Sequence, residues 1–182
     1  MTRLILLNGA PAVGKSTLAR RYAEDHPFAF RLDIDQIRRM LGRWREDPNR
    51  AGVLARSLAF AAAGAHLESG HDVVVPQLAV RIEFIERLAA IAAEADAEFH
   101  EVFLLDEGAN IVRRFAERTE LAADPTHVDA HETLAEGNAG LLAYVDRFAA
   151  LVPQRPDAVS IECVPGDIDA TYQRLLEVLG DR

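Results

Sequence analysis

Residues 9–16 are Gly9-Ala10-Pro11-Ala12-Val13-Gly14-Lys15-Ser16, and they match the phosphate-loop pattern GxxxxGK[ST] at every defined position. The apolar residues 4–7 before this stretch predict a strand, and residues 15–24 predict a helix. A strand, a glycine-containing turn and a helix in this order form the context in which the pattern binds phosphate. We therefore predict that the chain binds a nucleotide.

The chemistry of this loop assigns a role to each of its polar residues. Glycines let backbone N–H groups turn toward phosphate oxygens, and the helix N-terminus adds the positive end of its dipole. We expect Lys15 to bridge the β- and γ-phosphates, the Ser16 hydroxyl to coordinate Mg²⁺ and Thr17 to reach the α-phosphate. The alternative for Thr17 is a first-turn residue without a ligand contact. The predicted cofactors are ATP and Mg²⁺.

Lys15 is the only lysine among the 20 lysine and arginine residues of the chain. A planar guanidinium is bulkier than an ammonium and prefers a forked geometry, so the two groups are not interchangeable beside phosphate oxygens. A general preference for arginine explains why lysine is rare, but it does not explain where the remaining lysine lies. The position of Lys15 therefore supports nucleotide binding.

The composition indicates one globular domain, since 49% of the 182 residues are hydrophobic. The net charge of −9 and the pI of about 5.1 argue against a general affinity for nucleic acid, which usually needs a basic surface. The single cysteine, Cys163, excludes an internal disulfide and is expected to be buried in a strand. No stretch approaches the ~18 apolar residues of a membrane span. We expect a cytoplasmic protein without a membrane partner.

Short apolar segments alternate with segments of helical period along the whole chain. This alternation predicts an α/β fold with a parallel sheet and helices on both of its faces. The predicted strands are residues 4–7, 28–32, 72–75, 99–105 and 158–164. The predicted helices are residues 15–24, about 35–45, 48–69, about 81–95, a segment carrying Arg113, Arg114 and Arg118, about 129–151, and a final helix capped by Asp167.

Two aspartates, Asp33 and Asp35, follow the second predicted strand. Residues two apart in an extended chain point the same way, and ligands of open α/β sheets bind at the carboxyl edge. We expect Asp35 to accept or orient the proton of a substrate hydroxyl, and Arg38 to bind an anionic group one helical turn later. The alternatives are that Asp35 is the N-cap of the next helix, and that Asp33 acts structurally or on Mg²⁺ through water.

The third predicted strand ends in Pro76 and Gln77, where many phosphate-loop proteins place an Mg²⁺-binding aspartate. Without that carboxylate, Mg²⁺ is expected to rest on Ser16, the phosphates and water, with Asp33 or Asp35 in the outer shell. Gln77 is instead a candidate contact for the phosphate acceptor.

The run Leu6-Leu7-Asn8-Gly9 through Ser16-Thr17, followed by Asp35-Gln36-Ile37-Arg38, resembles the small P-loop kinases of the AAA_33 type. These are related to chloramphenicol phosphotransferase, the zeta toxins and the kinase domain of polynucleotide kinase. The resemblance covers most of the chain and implies a five-stranded parallel sheet in the order 2-3-1-4-5. It also implies that Asp35 is the catalytic base and that Arg38 assists the acceptor or the transferred phosphoryl group.

The same resemblance implies a helical lid at about residues 113–135. Arg114 and Arg118 are four residues apart and share a helix face, from which they would close over the triphosphate. The alternative is a solvated helix face paired with nearby glutamates. In related kinases the loop after the last strand lies against the adenine, so backbone contacts are expected from Pro165 and Gly166.

Two smaller expectations concern apolar and aromatic residues. Trp44 is expected either to stack on an aromatic acceptor or to pack under a loop. Leu54, Leu58 and Phe60 are expected in the core, with a place in the acceptor pocket as the alternative.

The sequence therefore predicts a phosphotransferase that moves the γ-phosphate of ATP to a hydroxyl of a small molecule of the antibiotic, sugar or nucleoside type. One alternative is a 5′-hydroxyl kinase of nucleic acid, which the acidic composition disfavours. Another is an ATP-binding regulatory protein without kinase activity, which Gln77 favours and Asp35 with Arg38 disfavours. Neither the acceptor nor the oligomeric state follows from these patterns.

Overall fold

The computed structural model describes residues 1–106, 146–164 and 166–181. The predicted lid, its arginines Arg114 and Arg118, and Pro165 lie outside the described residues.

In the described part of the chain, five parallel strands form one sheet in the order β2-β3-β1-β4-β5, which confirms the predicted topology. Phe30 pairs with Val73 at one edge of the sheet, and Val102 pairs with Val159 at the other. The strands are β1 (Arg3–Gly9), β2 (Phe30–Arg31), β3 (Val73–Gln77), β4 (Glu98–Leu105) and β5 (Val159–Glu162).

Helices alternate with these strands, as the periodicity predicts. They are α1 (Lys15–Asp25), α2 (Ile34–Met40), α3 (Pro48–Glu68), α4 (Ile82–Glu94) and α5 (Ile168–Leu179), with residues 146–151 also helical. Short 3₁₀ turns occupy Trp44–Glu46 and Val152–Gln154. Within these ranges, no helix is long and apolar enough to cross a membrane.

The helix predicted for residues 35–45 is shorter than expected. It ends at Met40, because Leu41 takes an extended backbone and Arg43 a left-handed one with φ 55°. The chain then makes the 3₁₀ turn at Trp44–Glu46, which places Trp44 beside α2 rather than on its continuation.

The described chain packs into two compact units whose segments alternate along the sequence. The first contains Met1–Leu7, Ala19–Gln77 and Arg81–His100, and the second contains Asn8–Leu18, Leu78–Val80 and the described residues from Glu101 onward. The assignment of the whole chain to one domain stays a prediction.

In the first unit, α3 packs against α2 and α4, and one face of α3 buries a row of small side chains. The row has a four-residue spacing and consists of Ala51, Ala55, Ala59 and Ala63, followed by Leu67. The expectation that Leu54 and Leu58 belong to the core is wrong, since they are 48% and 50% exposed. They lie beside the alanine row on the same helix, and the apolar pattern alone does not distinguish the two rows. Phe60 is half-buried, with its ring centroid 5.4 Å from that of Phe84.

In the second unit, β4 places Phe103 and Glu101 in the interior. The Phe103 ring packs edge-on against Phe148, with the centroids 5.4 Å apart. Glu101 is buried and accepts a hydrogen bond of 2.9 Å from Arg155 Nε. Burial raises the pKa of the Glu101 carboxyl, and the bond from Arg155 opposes that rise. Cys163 is buried, as expected, but it lies one residue after β5 rather than within a strand.

Candidate active site

The phosphate loop belongs to the second unit and connects β1 to α1. Its backbone takes left-handed conformations at Ala12 (φ 65°) and Gly14 (φ 108°), so the chain reverses within a few residues. The helix begins at Lys15, and the first N–H groups of a helix have no intrahelical partner. The loop and this helix end together form a site suited to phosphate oxygens.

Two glycines of the loop lie where an added side chain would be crowded. A Cβ atom added at Gly9 would lie 2.8 Å from the carbonyl oxygen of Leu104. One added at Gly14 would lie 3.2 Å from Cδ1 of Ile168, at a φ that already disfavours side chains. The backbone of the loop therefore packs directly against β4 and the start of α5.

Lys15 folds back onto its own loop. Its Nζ donates hydrogen bonds of 2.8 Å to the Gly9 carbonyl and 2.7 Å to the Ala10 carbonyl. These bonds hold the ammonium at the mouth of the loop, while the next residue, Ser16, is exposed. A nucleoside triphosphate with Mg²⁺ requires cationic and N–H groups for its phosphate oxygens and an oxygen ligand for the metal ion. The Lys15 ammonium, the backbone N–H groups and the Ser16 hydroxyl are of these types.

Asn8 is a residue of this region that the sequence patterns did not reveal. It is fully buried, and its side-chain amide pairs with the backbone of Ala79. Nδ2 donates to the Ala79 carbonyl at 2.8 Å, and Oδ1 accepts from the Ala79 N–H at 2.9 Å. The residue just before Gly9 thus anchors the segment that follows β3. Only the position of Asn8 beside the loop hinted at this role.

The segment after β5 is held by Thr171, which the sequence patterns also did not reveal. The Val164 N–H donates to Thr171 Oγ1 at 3.1 Å, and that hydroxyl donates to the Asp167 carbonyl at 3.1 Å. Gly166, between them, has a left-handed backbone with φ 77° and is exposed. Ile168, two residues after Gly166, approaches Gly14 of the phosphate loop. The exposed backbone of Gly166 therefore belongs to a segment that contacts this loop.

The predicted acceptor residues belong to the first unit, at the start of α2. The alternative that Asp35 caps this helix is wrong, because the N-cap is Asp33. Asp33 Oδ1 accepts from the backbone N–H groups of Asp35 and Gln36, at 3.0 and 3.3 Å. Burial raises the pKa of the Asp33 carboxyl, the charge of Asp35 adds to the rise, and the two backbone bonds oppose it.

Because Asp33 caps the helix, Asp35 lies in the first turn with its side chain available. That side chain is 47% exposed, and its Oδ1 lies 3.4 Å from Nη2 of Arg38. The structure thus pairs Asp35 with Arg38 in the first two turns of α2, directly after the cap residue Asp33.

Arg38 also contacts the 3₁₀ turn that follows α2. Its guanidinium carbon lies 4.9 Å from the centroid of the Trp44 ring, and that of Arg45 lies 4.4 Å from the same centroid. Trp44 therefore packs against two cationic groups, an arrangement favoured by the negative face of an indole.

Gln77 is the last residue of β3 and is half-buried, while Pro76 before it is buried. Over residues 1–106, 146–164 and 166–181, no group of three or more histidine, cysteine or acidic residues is placed to hold a metal ion. β3 ends in an amide rather than a carboxylate, and a contact from Gln77 to the acceptor stays a prediction.

Comparisons with known proteins identify both the family and the fold. The family model AAA_33, described as an AAA domain, matches residues 4–138. No curated protein matches the chain.

Three solved structures illustrate the shared fold. A proposed kinase from Chloroflexus aurantiacus is 23% identical with a TM-score of 0.66, over 98% of this chain and 96% of that one. The tunicamycin resistance protein of Deinococcus radiodurans is 18% identical with a TM-score of 0.63, over 100% and 98% of the two chains. The APS kinase of Mycobacterium tuberculosis, solved with AMPPNP and APS, is 19% identical with a TM-score of 0.62, over 99% and 98%. At these identities the likeness establishes a kinase-type P-loop fold.

Proposed function

Since the chain belongs to the AAA_33 family, we propose that it is an ATP- and Mg²⁺-dependent phosphotransferase, which moves the γ-phosphate of ATP to a hydroxyl of a small molecule. The observation that carries this proposal is the phosphate loop, which presents Lys15 and Ser16 at the start of α1. The names of structural neighbours support it, because a proposed kinase and an APS kinase share the fold.

On the nucleotide side, the loop backbone and Lys15 bind the β- and γ-phosphates. Lys15 Nζ already donates to carbonyls of the loop, so it exchanges these bonds for phosphate oxygens when ATP binds. The Ser16 hydroxyl would hold Mg²⁺, which neutralises charge on the phosphates, and Thr17 is assigned to the α-phosphate. Gly166 and Pro165 are proposed to contact the adenine through their backbone.

On the acceptor side, Asp35 is the proposed catalytic base. The acceptor oxygen forms a bond to the γ-phosphorus, the bond to the bridging oxygen of ADP breaks, and the hydroxyl proton passes to Asp35. Its partly exposed side chain is accessible to a substrate hydroxyl, and Arg38 orients it through their ion pair at 3.4 Å. Gln77 is proposed as a further acceptor contact.

Asp33 is better suited to an indirect role. One of its oxygens is bonded to two backbone N–H groups of α2, which supports action on Mg²⁺ through water rather than direct coordination. Arg114 and Arg118 are proposed, on the family resemblance alone, to stabilise the charge of the transferred phosphoryl group.

A regulatory ATP-binding protein is the second candidate function, and Gln77 at the end of β3 is the observation that favours it. A carboxylate at this place holds Mg²⁺ in many phosphate-loop proteins, and β3 ends here in an amide. Such a protein would bind ATP through the same loop without phosphorylating an acceptor.

Phosphate transfer from labelled ATP separates these candidates. The acceptors to test are nucleosides, sugars and sugar acids, aminoglycosides, chloramphenicol and 5′-hydroxyl oligonucleotides. We expect at least one small molecule to be labelled. Labelling of oligonucleotides alone would favour the nucleic-acid alternative, and tight ATP binding without any labelled acceptor would favour the regulatory protein.

The variant Asp35→Asn tests the assigned base. It keeps the shape of the side chain but cannot take up the proton, so kcat should fall by about 10²- to 10⁴-fold while ATP affinity stays near normal. Asp96→Asn is the matched control, because Asp96 is exposed and its left-handed backbone (φ 52°) tolerates asparagine. Transfer at the full rate by Asp35→Asn would show that the base is another residue.

A further inference from the structure

The outward face of α3 is apolar over about three and a half turns, from Val53 to Ala65. Its three large side chains are exposed, with exposed fractions of 55% for Val53, 48% for Leu54 and 50% for Leu58. The smaller exposed residues of the same face are Ser57, Ala61 and Ala65. Single exposed apolar side chains are ordinary, whereas a contiguous row of them marks an interaction surface.

A groove of about 550 Å³ lies beside this face, between α3 and α4. The small residues of α3 that line it are Ala61, Gly64 and Ala65. Ile91 lines it from α4, and a Cβ added at Gly64 would lie 3.8 Å from Ile91 Cγ2. Arg87 and Glu94, which also line it from α4, pair with each other at 3.1 Å. The groove therefore has space for an apolar side chain of a partner.

Opposite charges mark the two ends of this face. Arg50 lies in the first turn of α3, and Glu68 is the last residue of the helix; both are exposed. They are 18 positions apart, which is about five turns, so both side chains project from the same side of the helix. The face therefore has a positive end, an apolar middle and a negative end.

A second copy of α3 that runs in the opposite direction complements this pattern in both charge and size. When Arg50 lies opposite Glu68 of the copy, the levels of Val53 and Leu54 fall at those of Gly64 and Ala65. Leu58 then falls near Ala61 of the copy, so every large side chain faces a small one. A two-fold axis repeats each pairing, which gives two Arg50–Glu68 pairs.

We propose that this face of α3 binds a second copy of the same chain in an antiparallel, two-fold symmetric dimer. A surface that is complementary to itself is what a two-fold interface requires, whereas a different partner would not need the two halves of the face to match each other. Burial of the exposed apolar side chains drives the association, and the charged ends fix its register.

Sedimentation equilibrium of the full chain tests the dimer without any nucleotide. Concentrations from about 1 to about 100 µM cover the dissociation constants of weak and moderate complexes. We expect a mean mass that rises with concentration from 20.0 kDa toward twice this value. Because the measurement involves neither ATP nor an acceptor, failure of the proposed function would leave this result unchanged.

Exchange of the terminal charges tests the register. Arg50→Glu and Glu68→Arg each replace two opposite-charge pairs by two like-charge pairs, so each should raise the dissociation constant of the dimer at least about tenfold. Both changes suit their own end of the helix dipole, so the fold is not weakened. The double variant restores opposite charges and should dimerise nearly as the parent does. Glu177→Arg on α5 is the control for Glu68→Arg, because Glu177 is exposed and distant in sequence, and it should have no effect.

A bulky substitution tests the apolar middle of the face. Ala61→Arg places a long charged side chain at an exposed position there and should abolish the dimer over the same concentrations. Ala93→Arg is the matched control, because Ala93 is an exposed alanine of α4 that does not line the groove. Circular dichroism checks that each variant is folded, and arginine is a good helix former at both positions.

A mean mass that stays at 20.0 kDa over the whole range would overturn the proposal. A dimer that neither Ala61→Arg nor the charge exchanges weaken would also overturn it, because such a dimer uses another surface. A double variant as weak as the single variants would show that the two ends do not pair. In a monomer, protection of a Leu58→Cys thiol from a maleimide would assign the face to another segment of the same chain; Cys163 is buried and adds little background.

Discussion

At the residue scale, Gly9 shows how the phosphate loop depends on close backbone packing. A Cβ at this position would lie 2.8 Å from the Leu104 carbonyl oxygen, a contact that only a backbone shift relieves. We expect Gly9→Ala to lower the free energy of unfolding by about 1–3 kcal/mol and to weaken ATP binding. Urea unfolding and nucleotide titration measure the two effects.

Gly52→Ala is the control for this substitution. Gly52 lies inside α3, and an added Cβ would meet only the end of the Arg56 side chain, at 3.5 Å. Alanine should stabilise the helix there by about 0.5–1 kcal/mol. Equal effects of the two substitutions would show that the packing of Gly9 against β4 is not tight.

Asp33 gives a prediction about pH. Its folded pKa is raised, so the folded protein holds the proton more strongly than the unfolded chain. The contribution of Asp33 to stability is therefore greatest at low pH and is lost as the pH rises through the folded pKa. Asp33→Asn keeps an oxygen acceptor for the N-cap but carries no charge. We expect this variant to be at least as stable as the parent at pH 7, with a smaller advantage near pH 4.

Urea unfolding of the parent and the Asp33→Asn variant across this pH range measures the difference. A variant that is less stable than the parent at pH 7 and equal to it near pH 4 would show that the charge of Asp33 stabilises the fold.

At the element scale, the start of α5 depends on one capping bond. Asp167 Oδ1 accepts from the Ala170 N–H at 2.9 Å, as the sequence pattern predicts. Asp167→Ala should lower the free energy of unfolding by about 0.5–2 kcal/mol. Asp167→Asn should retain most of the stabilisation that the cap provides, because asparagine also caps helices. Thermal unfolding monitored by circular dichroism compares the three proteins, and equal midpoints would exclude a stabilising cap.

Elements were predictable where local chemistry determines them. Pro48 and Gly70 bracket α3, and the observed helix ends within one residue of the expected position. The predicted strand at residues 28–32 is shortened because Phe28 has a left-handed backbone with φ 62°, which does not fit a strand. The capping role of Asp33 was missed, because both aspartates suit a helix start and only the backbone distinguishes them.

At the scale of the whole molecule, nucleotide binding should stabilise the fold. A ligand at 100 times its dissociation constant adds about 2.7 kcal/mol to the free energy of unfolding. In a chain of this size, each kcal/mol raises the unfolding temperature by about 2–4 °C. We therefore expect AMPPNP with Mg²⁺ to raise the unfolding temperature by about 5–10 °C. Lys15→Arg keeps the charge but not the compact ammonium, so the same ligand concentration should produce a much smaller shift.

Differential scanning fluorimetry measures both shifts. An equal shift for the parent and Lys15→Arg would show that an arginine at this position serves the nucleotide as well as the lysine does.

The overall topology was predictable because the phosphate loop followed by Asp35-Gln36-Ile37-Arg38 indicates the family, and the family implies the strand order. Contacts between distant residues were not predictable. Asn8 and Ala79 are 71 positions apart, and neither belongs to the phosphate-loop pattern. The contact between Trp44 and two arginines likewise depends on the break in the chain after Met40. The proposed acceptor residues are therefore suggested by the motif, whereas the contacts around them are visible only in the folded chain.

The pairing of Asn8 with Ala79 has a consequence for hydrogen exchange. The Ala79 N–H lies outside every strand, but it donates to a buried side chain as a strand amide donates to its neighbour. Its proton should exchange with deuterated water only when that pair opens. A segment with the connectivity of a loop should thus be protected from exchange as a strand is, just after Pro76 and Gln77, where many phosphate-loop proteins carry a metal-binding carboxylate.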